Sequence, residues 1–383
     1  MLLIAGSSSA QSTMDNVLSQ IATNSKTWKA EQQRIVAAQK ELYTGISLYD
    51  PKVEYDYLQG FPESAGIQQE FNVYQPFDFP SSYVYRKKVA NLKSSQTTYE
   101  SELIRKNILL EAKLVAIELV YLNKRRFGLT QRLTNAEKFY TDYQKKFDLL
   151  DATVLDLNKA KLLNANVQTD LTLVEAEIEE QLSKLTAFNG GIAVVFNDTV
   201  YPVQPTLAEF ETLEQALASS DPALKYFETQ KEVGEAQIQL NKSLWLPKLE
   251  AGYRYQKILG EQFHGGHIGV TIPLWENKNI VRYQKLQTTF YDLQIQNYRN
   301  ERYYEVKQLY EKYQTLKSNF EEYKNNLQSL LNVDLLNKSL TAGQITTLEY
   351  YFETSLYNDS IDRYLTLEKE YQTVLAELLK YEL

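Results

Sequence analysis

Two stretches of this chain contain almost nothing that can end a helix. From Ser81 to Leu150 there is no proline and Gly128 is the only glycine; from Glu276 to Thr341 there is neither. Proline removes a backbone donor and clashes with the preceding turn, and glycine loses the most entropy on ordering. Apolar residues recur through both stretches at helical spacing. The first shows Leu103, Leu110, Leu114, Ile117 and Tyr121, interrupted by Lys106 and Lys113; the second shows Tyr303, Val306, Leu309, Tyr310 and Tyr313. A helix this long has a contour of about 100 Å at 1.5 Å per residue, which points to a coiled coil or helical repeat. The spacing predicts long helices over 81–150 and 277–341, and shorter ones over 13–46, 153–188, 206–245 and 344–381.

Composition removes several function classes. Among 383 residues there is no cysteine and there are two histidines, His264 and His267. That excludes a disulfide framework, a thiolate cluster and a cysteine nucleophile, and argues against His-based catalysis. A net charge of −8 argues against nucleic acid as a partner. No Ser/His/Asp set or phosphate loop is visible, so no enzyme and no cofactor is expected. No apolar window reaches the ~18 residues of a membrane-spanning helix. Met1 to Gly6 followed by Ser8-Ser9-Ala10-Gln11 reads either as the end of a secretory signal, cut after Ala10, or as an ordinary chain terminus.

Two windows change period. Val53, Tyr55 and Tyr57 alternate with Lys52, Glu54 and Asp56; after a turn at Gly60-Phe61-Pro62, Phe71 and Val73 oppose Glu70 and Asn72. Leu249, Ala251, Tyr253 and Tyr255 alternate with Glu250, Gly252, Arg254 and Gln256; past a Gly-rich turn, Ile268, Val270, Ile272 and Leu274 alternate with His267, Gly269, Thr271 and Pro273. These are two β-hairpins, 51–76 and 247–274, each with one apolar and one polar face. The pattern allows a hairpin half-buried on a soluble core, or strands of a membrane barrel with lipid on one side and a wet lumen on the other. Two hairpins cannot close a barrel alone, so the membrane reading requires several copies.

The element order then repeats. Trp245-Leu246-Pro247-Lys248 answers Tyr49-Asp50-Pro51-Lys52, Ile272-Pro273-Leu274-Trp275 answers Gln75-Pro76-Phe77-Asp78, and Ile345-Thr346-Thr347-Leu348-Glu349 answers Ala152-Thr153-Val154-Leu155-Asp156. An internal duplication follows. The expected organisation is a residual signal or linker (1–12), a first repeat (13–188), a connector (189–205) and a second repeat (206–383). Within the connector, Val194-Val195-Phe196 is a candidate edge strand.

Three motifs carry a family resemblance over nearly the whole chain beyond Ser12. They are Ser220-Asp221-Pro222-Ala223-Leu224 with Ala236, Leu240 and Leu246-Pro247-Lys248-Leu249; Val270-Thr271-Ile272-Pro273-Leu274-Trp275; and Leu340 to Glu349 around Gly343. In this order and duplication the chain resembles the TolC-like outer membrane efflux proteins. The resemblance implies a mainly α fold with a small β part, in which long α-helical hairpins form a coiled-coil-like periplasmic tunnel. Four strands per chain would contribute to a trimeric transmembrane β-barrel. It implies a homotrimer in the outer membrane of a Gram-negative bacterium, with a periplasmic helical extension. Such a channel is a passive exit duct. Its partners are outer-membrane lipid, a periplasmic adaptor protein and an inner-membrane pump such as an RND transporter. The rival reading is a soluble helical coiled-coil scaffold.

The resemblance also implies site residues. Glu349 stands where the family carries a pore-facing acid, with Asp156 as its first-half counterpart. Where a second acid is usual this chain has Phe352 beside Glu353, so an apolar plug is an alternative to a double acidic ring. The plain reading of Glu349 is a carboxylate favoured by a helix N-terminus. Adaptor-docking turns map to Leu150, Asp151, Ala152 and Thr153, and to Ala342, Gly343, Gln344, Ile345 and Thr346. Gly343 suits a tight turn; with Leu150 in its place, the first turn is expected to be built differently. Phe77, Phe79, Tyr253, Tyr255 and Trp275 are candidate membrane-interface aromatics, against generic strand preference. His264 and His267, placed in the hairpin loop, are weak candidates for a transition metal, against a plain outer loop.

Overall fold

The structure, a computed structural model, describes residues 7–203, 206–330 and 333–383. The chain divides into two compact units. The strand-bearing unit comprises Glu31–Leu103 and Asp221–Arg302; the helical unit comprises Met1–Ala30, Ile104–Ser220 and Tyr303–Leu383.

The element order is α1 (Ser7–Asn24), α2 (Lys26–Glu41), β1 (Lys52–Gln59), β2 (Ile67–Phe77), α3 (Pro80–Asp148), α4 (Val154–Phe188), α5 (Phe210–Ser220), α6 (Pro222–Ser243), β3 (Lys248–Ile258), β4 (Glu261–Thr271), α7 (Ile280–Leu330), α8 (Val333–Thr341) and α9 (Thr347–Leu378). The fold is mainly helical with one four-stranded sheet, and α3 alone runs 69 residues. No described helix is long and apolar enough to cross a membrane.

Several boundaries differ from the sequence expectation, each for a local reason. Residues 7–12, read as linker, begin α1, while 1–6 lie outside the described residues. The helix expected over 13–46 divides at buried Ser25, whose hydroxyl accepts from Trp28 N at 3.3 Å. The helix expected over 206–245 is two helices. Asp221 caps α6 by accepting from Ala223 N (2.8 Å) and Leu224 N (3.3 Å), and Pro222 offers no donor to continue α5. The helix expected over 277–341 is described as α7 and α8; residues 331–332 between them are outside the described residues, as are 204–205 at the end of the connector. β4 stops at Thr271, short of Pro273.

In the helical unit the main core gathers Met14, Ile21, Leu109, Ala112, Ala116, Leu119, Val120, Leu185 and Phe196. Small residues at 112 and 116 let neighbours approach α3 closely. The lysines that break its apolar stripe have local explanations. Lys106 Nζ donates to the Tyr381 carbonyl at 2.6 Å, and burial pushes the Lys113 ammonium below its usual pKa. Among its described residues the connector forms no strand: buried Asn123 holds it by donating to the carbonyls of Phe196 and Asp198. A second cluster joins α7 and α9 through Tyr313, Val374, Leu375 and Leu378. There Tyr313 stacks on Tyr371, and Phe320 stacks on both Tyr371 and Tyr364.

In the strand-bearing unit the sheet order is β1-β2-β3-β4, antiparallel throughout. Each hairpin supplies two strands, and the β2–β3 pairing joins them. Gly252 permits that join: a Cβ there would stand 2.3 Å from the Val73 carbonyl oxygen.

Candidate functional site: an apolar-faced sheet and two matched helical turns

Antiparallel register puts directly paired residues on one face. Val53, Val73 and Tyr253 form one row; Tyr55, Phe71, Tyr255 and His264 form the next. Phe77, Leu249 and Val270 extend the same face towards the ends of β2 and β4. Much of this apolar face is uncovered within the chain: Ile268 is 84% exposed and Val53 63%. The opposite face is a polar network. Arg254 Nη2 donates to Glu70 Oε2 at 2.8 Å, Gln256 Nε2 to Glu70 Oε1 at 2.6 Å, and Tyr74 Oη to Glu54 Oε1 at 2.6 Å. The sheet is thus two-faced in the sense the sequence alternation predicts.

Among the described residues, β1 and β4 each lack a partner on their outer edge. Unpaired strand edges and a bare apolar face are two unmet demands of the same sheet. A closed assembly of several copies in lipid meets both.

The roots of the sheet are fixed by buried polar anchors. Asp78, just past β2, accepts from Tyr49 Oη at 3.1 Å and pairs with Arg86, while its own amide donates to Tyr83 Oη at 3.1 Å. Asn277 Nδ2 donates to the Leu244 carbonyl at 2.5 Å. Pro76 sits inside β2 beyond the last β1 pairing, Lys52 with Tyr74, so β2 has one neighbour there. Phe77 and Phe79 flank the first root and Trp275, 80% exposed, the second, whereas Tyr253 and Tyr255 lie mid-strand.

The histidines are not in a loop. The β3–β4 turn is Leu259-Gly260, both at positive φ (51° and 91°), as a two-residue hairpin requires. His264 and His267 therefore lie in β4 on opposite faces. His267 Nε2 is 2.9 Å from Glu250 Oε1 on the polar face, and His264 pairs with Tyr255 in the apolar row. Their rings point away from each other within one chain. Among the described residues no group of three or more His, Cys, Asp or Glu could hold a metal ion.

The two helical turns in the other unit are built alike, contrary to the expectation that Leu150 forces a different design. In the α3–α4 turn, Asp151 N donates to Lys146 O (2.7 Å) and Leu150 N to Phe147 O (3.0 Å); in the α8–α9 turn, Gln344 N donates to Ser339 O (2.9 Å) and Gly343 N to Leu340 O (3.0 Å). This is the Schellman pattern, which places the residue after the C-cap in the left-handed region. Leu150 has φ 64° and Gly343 φ 69°. Glycine adopts that region freely, while a side chain there costs about 1–2 kcal/mol.

Both turns then enter the next helix through a capping box. Thr153 Oγ1 accepts from Asp156 N at 3.2 Å, and Asp156 Oδ2 accepts from the Thr153 hydroxyl at 2.7 Å. Thr346 Oγ1 accepts from Glu349 N at 3.2 Å, and Glu349 Oε2 accepts from Thr346 N at 2.7 Å. Leu150, Thr153 and Asp156 thus recur at identical spacing as Gly343, Thr346 and Glu349. Hydrogen bonds from the Thr346 amide and hydroxyl hold the Glu349 carboxyl below its usual pKa. Those from the Thr153 hydroxyl and amide, with Lys159 nearby, do the same for Asp156. Phe352 is 76% exposed one helical turn into α9, and Glu353 is exposed beside it.

Sequence reasoning missed the long-range ties. Arg132 reaches Asp362 with two bonds of 2.7 Å, and Lys124 reaches Glu368 at 2.5 Å, tying α3 to α9 across hundreds of residues of chain. Neither pair has a local signal. Arg132 borders a cavity of about 610 Å³ whose walls include Phe139, Val167, Tyr351 and Leu365.

The fold is shared with solved structures of outer-membrane proteins. The chain superposes on CusC, described as forming a transmembrane channel, with TM-score 0.79 at 12% identity, covering 96% of this chain and 91% of that one. The VceC outer membrane protein of Vibrio cholerae gives TM-score 0.77 at 13% identity over 97% and 96%. The CmeC outer membrane channel of Campylobacter jejuni gives 0.71 at 14% over 96% and 85%. Searches against protein-family models and curated protein sequences give no match. The resemblance read in the sequence therefore holds as a shared fold.

Proposed function

We propose that this chain is the protomer of an outer-membrane efflux channel, a passive exit duct without catalysis or cofactor. The observation that carries this reading is the sheet: an uncovered apolar face, a hydrogen-bonded polar face and two open edges on one four-stranded element. A trimer brings about twelve strands, enough for a closed barrel with a water-filled lumen. The fold shared with solved outer-membrane channels supports the same reading.

In this account the barrel lies in the outer membrane of a Gram-negative bacterium and the helices extend into the periplasm. A periplasmic adaptor joins the duct to an inner-membrane pump, such as one of the RND class, by docking on the Leu150–Thr153 and Ala342–Thr346 turns. Glu349, three copies around an axis, lines a constriction with Phe352, Glu353 and Asp156 near it. Its capping bonds favour the ionised form, so the ring stays negative and favours cations. Phe77, Phe79 and Trp275, at the strand roots, suit the membrane interface. A soluble scaffold would leave the apolar sheet face in water, where large apolar patches are rare.

The test is fractionation. The duct reading expects a heat-modifiable oligomer in the detergent extract of outer membranes. A soluble monomer or dimer sinks it.

A further inference from the structure

Gly128 is the one glycine in the 69-residue helix α3. Of residues other than proline, glycine is the least favourable in a helix interior. It is commonly retained there for a close approach of neighbouring atoms or for a helix end. Gly128 serves neither purpose. The helix runs on to Asp148, and beyond the helix's own backbone a Cβ at 128 would meet no atom within 4 Å. Gly252 is the contrast, with a Cβ there 2.3 Å from a backbone oxygen. The side chain missing at 128 therefore leaves open space, and that space belongs to the cavity of about 610 Å³ in the helical unit.

The cavity is bounded by α3, α4, α9 and the connector, all within that unit. Its volume falls in the range of small-molecule sites, roughly 300–1,000 Å³, and such sites pair aromatic walls with a few polar groups. Phe127, Phe139, Tyr350, Tyr351 and Tyr357 line it. Phe139 and Tyr351 stack with centroids 5.5 Å apart and planes 29° from parallel, which makes one wall flat. Phe127 is 65% exposed. The lining carries three cations, Lys124, Arg125 and Arg132, and one acid, Asp362. Two of the cations are engaged by carboxylates: Arg132 holds Asp362 through two bonds of 2.7 Å, and Lys124 holds Glu368. Arg125 lies over the Tyr121 ring at 5.7 Å, and among the described residues no carboxylate pairs with it. The two satisfied pairs cancel, and Arg125 leaves the site with an uncompensated positive charge.

We propose that this cavity is a binding site for a planar aromatic anion. The ring system occupies the space left by Gly128 against the Phe139–Tyr351 wall, and a carboxylate or sulfonate meets Arg125. A guanidinium suits such a group because its planar fork donates two parallel bonds. A neutral aromatic of the same shape gives Arg125 no partner, and an aromatic cation is repelled. Gly128 is then a specificity-determining position, since any larger side chain would fill the site. The inference concerns the helical unit alone and does not require the chain to be a duct.

The test is calorimetric titration of the detergent-purified full chain with naphthalene-2-sulfonate, against naphthalene-2-methanol as the neutral comparison. Hydrogen exchange then locates the bound probe. The expected result is saturable binding at one site per chain, with exchange slowed in α3 over 124–139 and in α9 over 350–362. The neutral compound, and the sulfonate on Arg125→Gln, should each bind roughly tenfold more weakly, as loss of one charge-assisted contact implies. Gly128→Leu should abolish binding by filling the space, and should unfold at higher urea than wild type because leucine favours a helix. Absence of saturable binding overturns the inference, as do protection elsewhere, equal affinity for the neutral compound, or unchanged affinity in Arg125→Gln. So does Gly128→Leu protein that is less stable than wild type or loses its oligomeric state, because the space would then serve the packing of this chain or of a second copy. The titration reads the same way on an oligomer or a monomer, so failure of the duct reading leaves this result standing, and the reverse holds too.

Discussion

A single arginine on the apolar face of the sheet distinguishes lipid from water. Phe71 is the suitable position. It sits near the middle of β2, in register with Tyr55 and Tyr255. At about 3.4 Å per residue it lies about 14 Å from the Ile67 end and about 20 Å from the Phe77 end. An apolar band about 25 Å tall covers that position. In lipid, Phe71→Arg should cost about 2–4 kcal/mol per copy, a factor of roughly 30 to 700 in the insertion equilibrium. If the face is in water, a half-exposed surface substitution should stay within about 0.5 kcal/mol. Asp56→Arg is the control: Asp56 pairs with Glu70 on the polar face, one residue from the same depth. The assay is urea-dependent folding into phosphatidylcholine vesicles, read by the heat-modifiable band. The account expects Phe71→Arg to fail at urea concentrations where Asp56→Arg still folds. Equal behaviour of the two variants would refute the assignment of faces.

Three further outcomes follow from the same structure. Asp221 is fully buried, caps α6, accepts from Tyr298 Oη at 2.8 Å and lies 3.8 Å from buried Arg302. Asp221→Ala should therefore destabilise by about 2–3 kcal/mol in urea titration, because it removes the α6 cap and a charge-assisted hydrogen bond; a loss below about 0.5 kcal/mol would contradict this. The capping carboxyls are depressed from 4.5 (Glu349) and 3.8 (Asp156), so their stabilisation is complete above those values and is lost as pH falls through the lower folded-state values. Hydrogen exchange at the first turns of α9 and α4 should accelerate over that acid range in wild type and not in Thr346→Ala or Thr153→Ala. Finally, Glu349→Ala should reduce cation preference in single-channel recordings, and an unchanged preference would remove the acidic ring.

The hairpins were legible because period-2 alternation is a local property: the faces containing Val53, Phe71, Tyr253 and Ile268 could be read directly. The pairing of β2 with β3 could not, since it joins residues far apart in the chain and depends on a close approach at Gly252 that no pattern announces. The long helix Pro80–Asp148 was readable from the missing Pro and Gly. The break at Asp221-Pro222 carried a usable signal, an N-cap residue before a proline, and was overridden by the apolar periodicity around it. Residue type does not dictate the backbone of the α3–α4 turn: Leu150 adopts the conformation of Gly343 and bears the strain. Gly265 and Gly266 have the composition of a turn yet lie within β4, and the turn is Leu259-Gly260. Ion pairs such as Arg132 with Asp362 depend on tertiary packing and have no sequence-local trace.

The central claim is that several copies of this chain close their sheets into one water-filled pore. Planar-bilayer recording of the detergent-purified oligomer tests it most directly. The account predicts discrete, long-lived conductance steps that appear with the heat-modifiable oligomer and vanish in Phe71→Arg protein that fails to insert. Purified oligomer that gives no conductance, or steps that persist in uninserted Phe71→Arg protein, would contradict it.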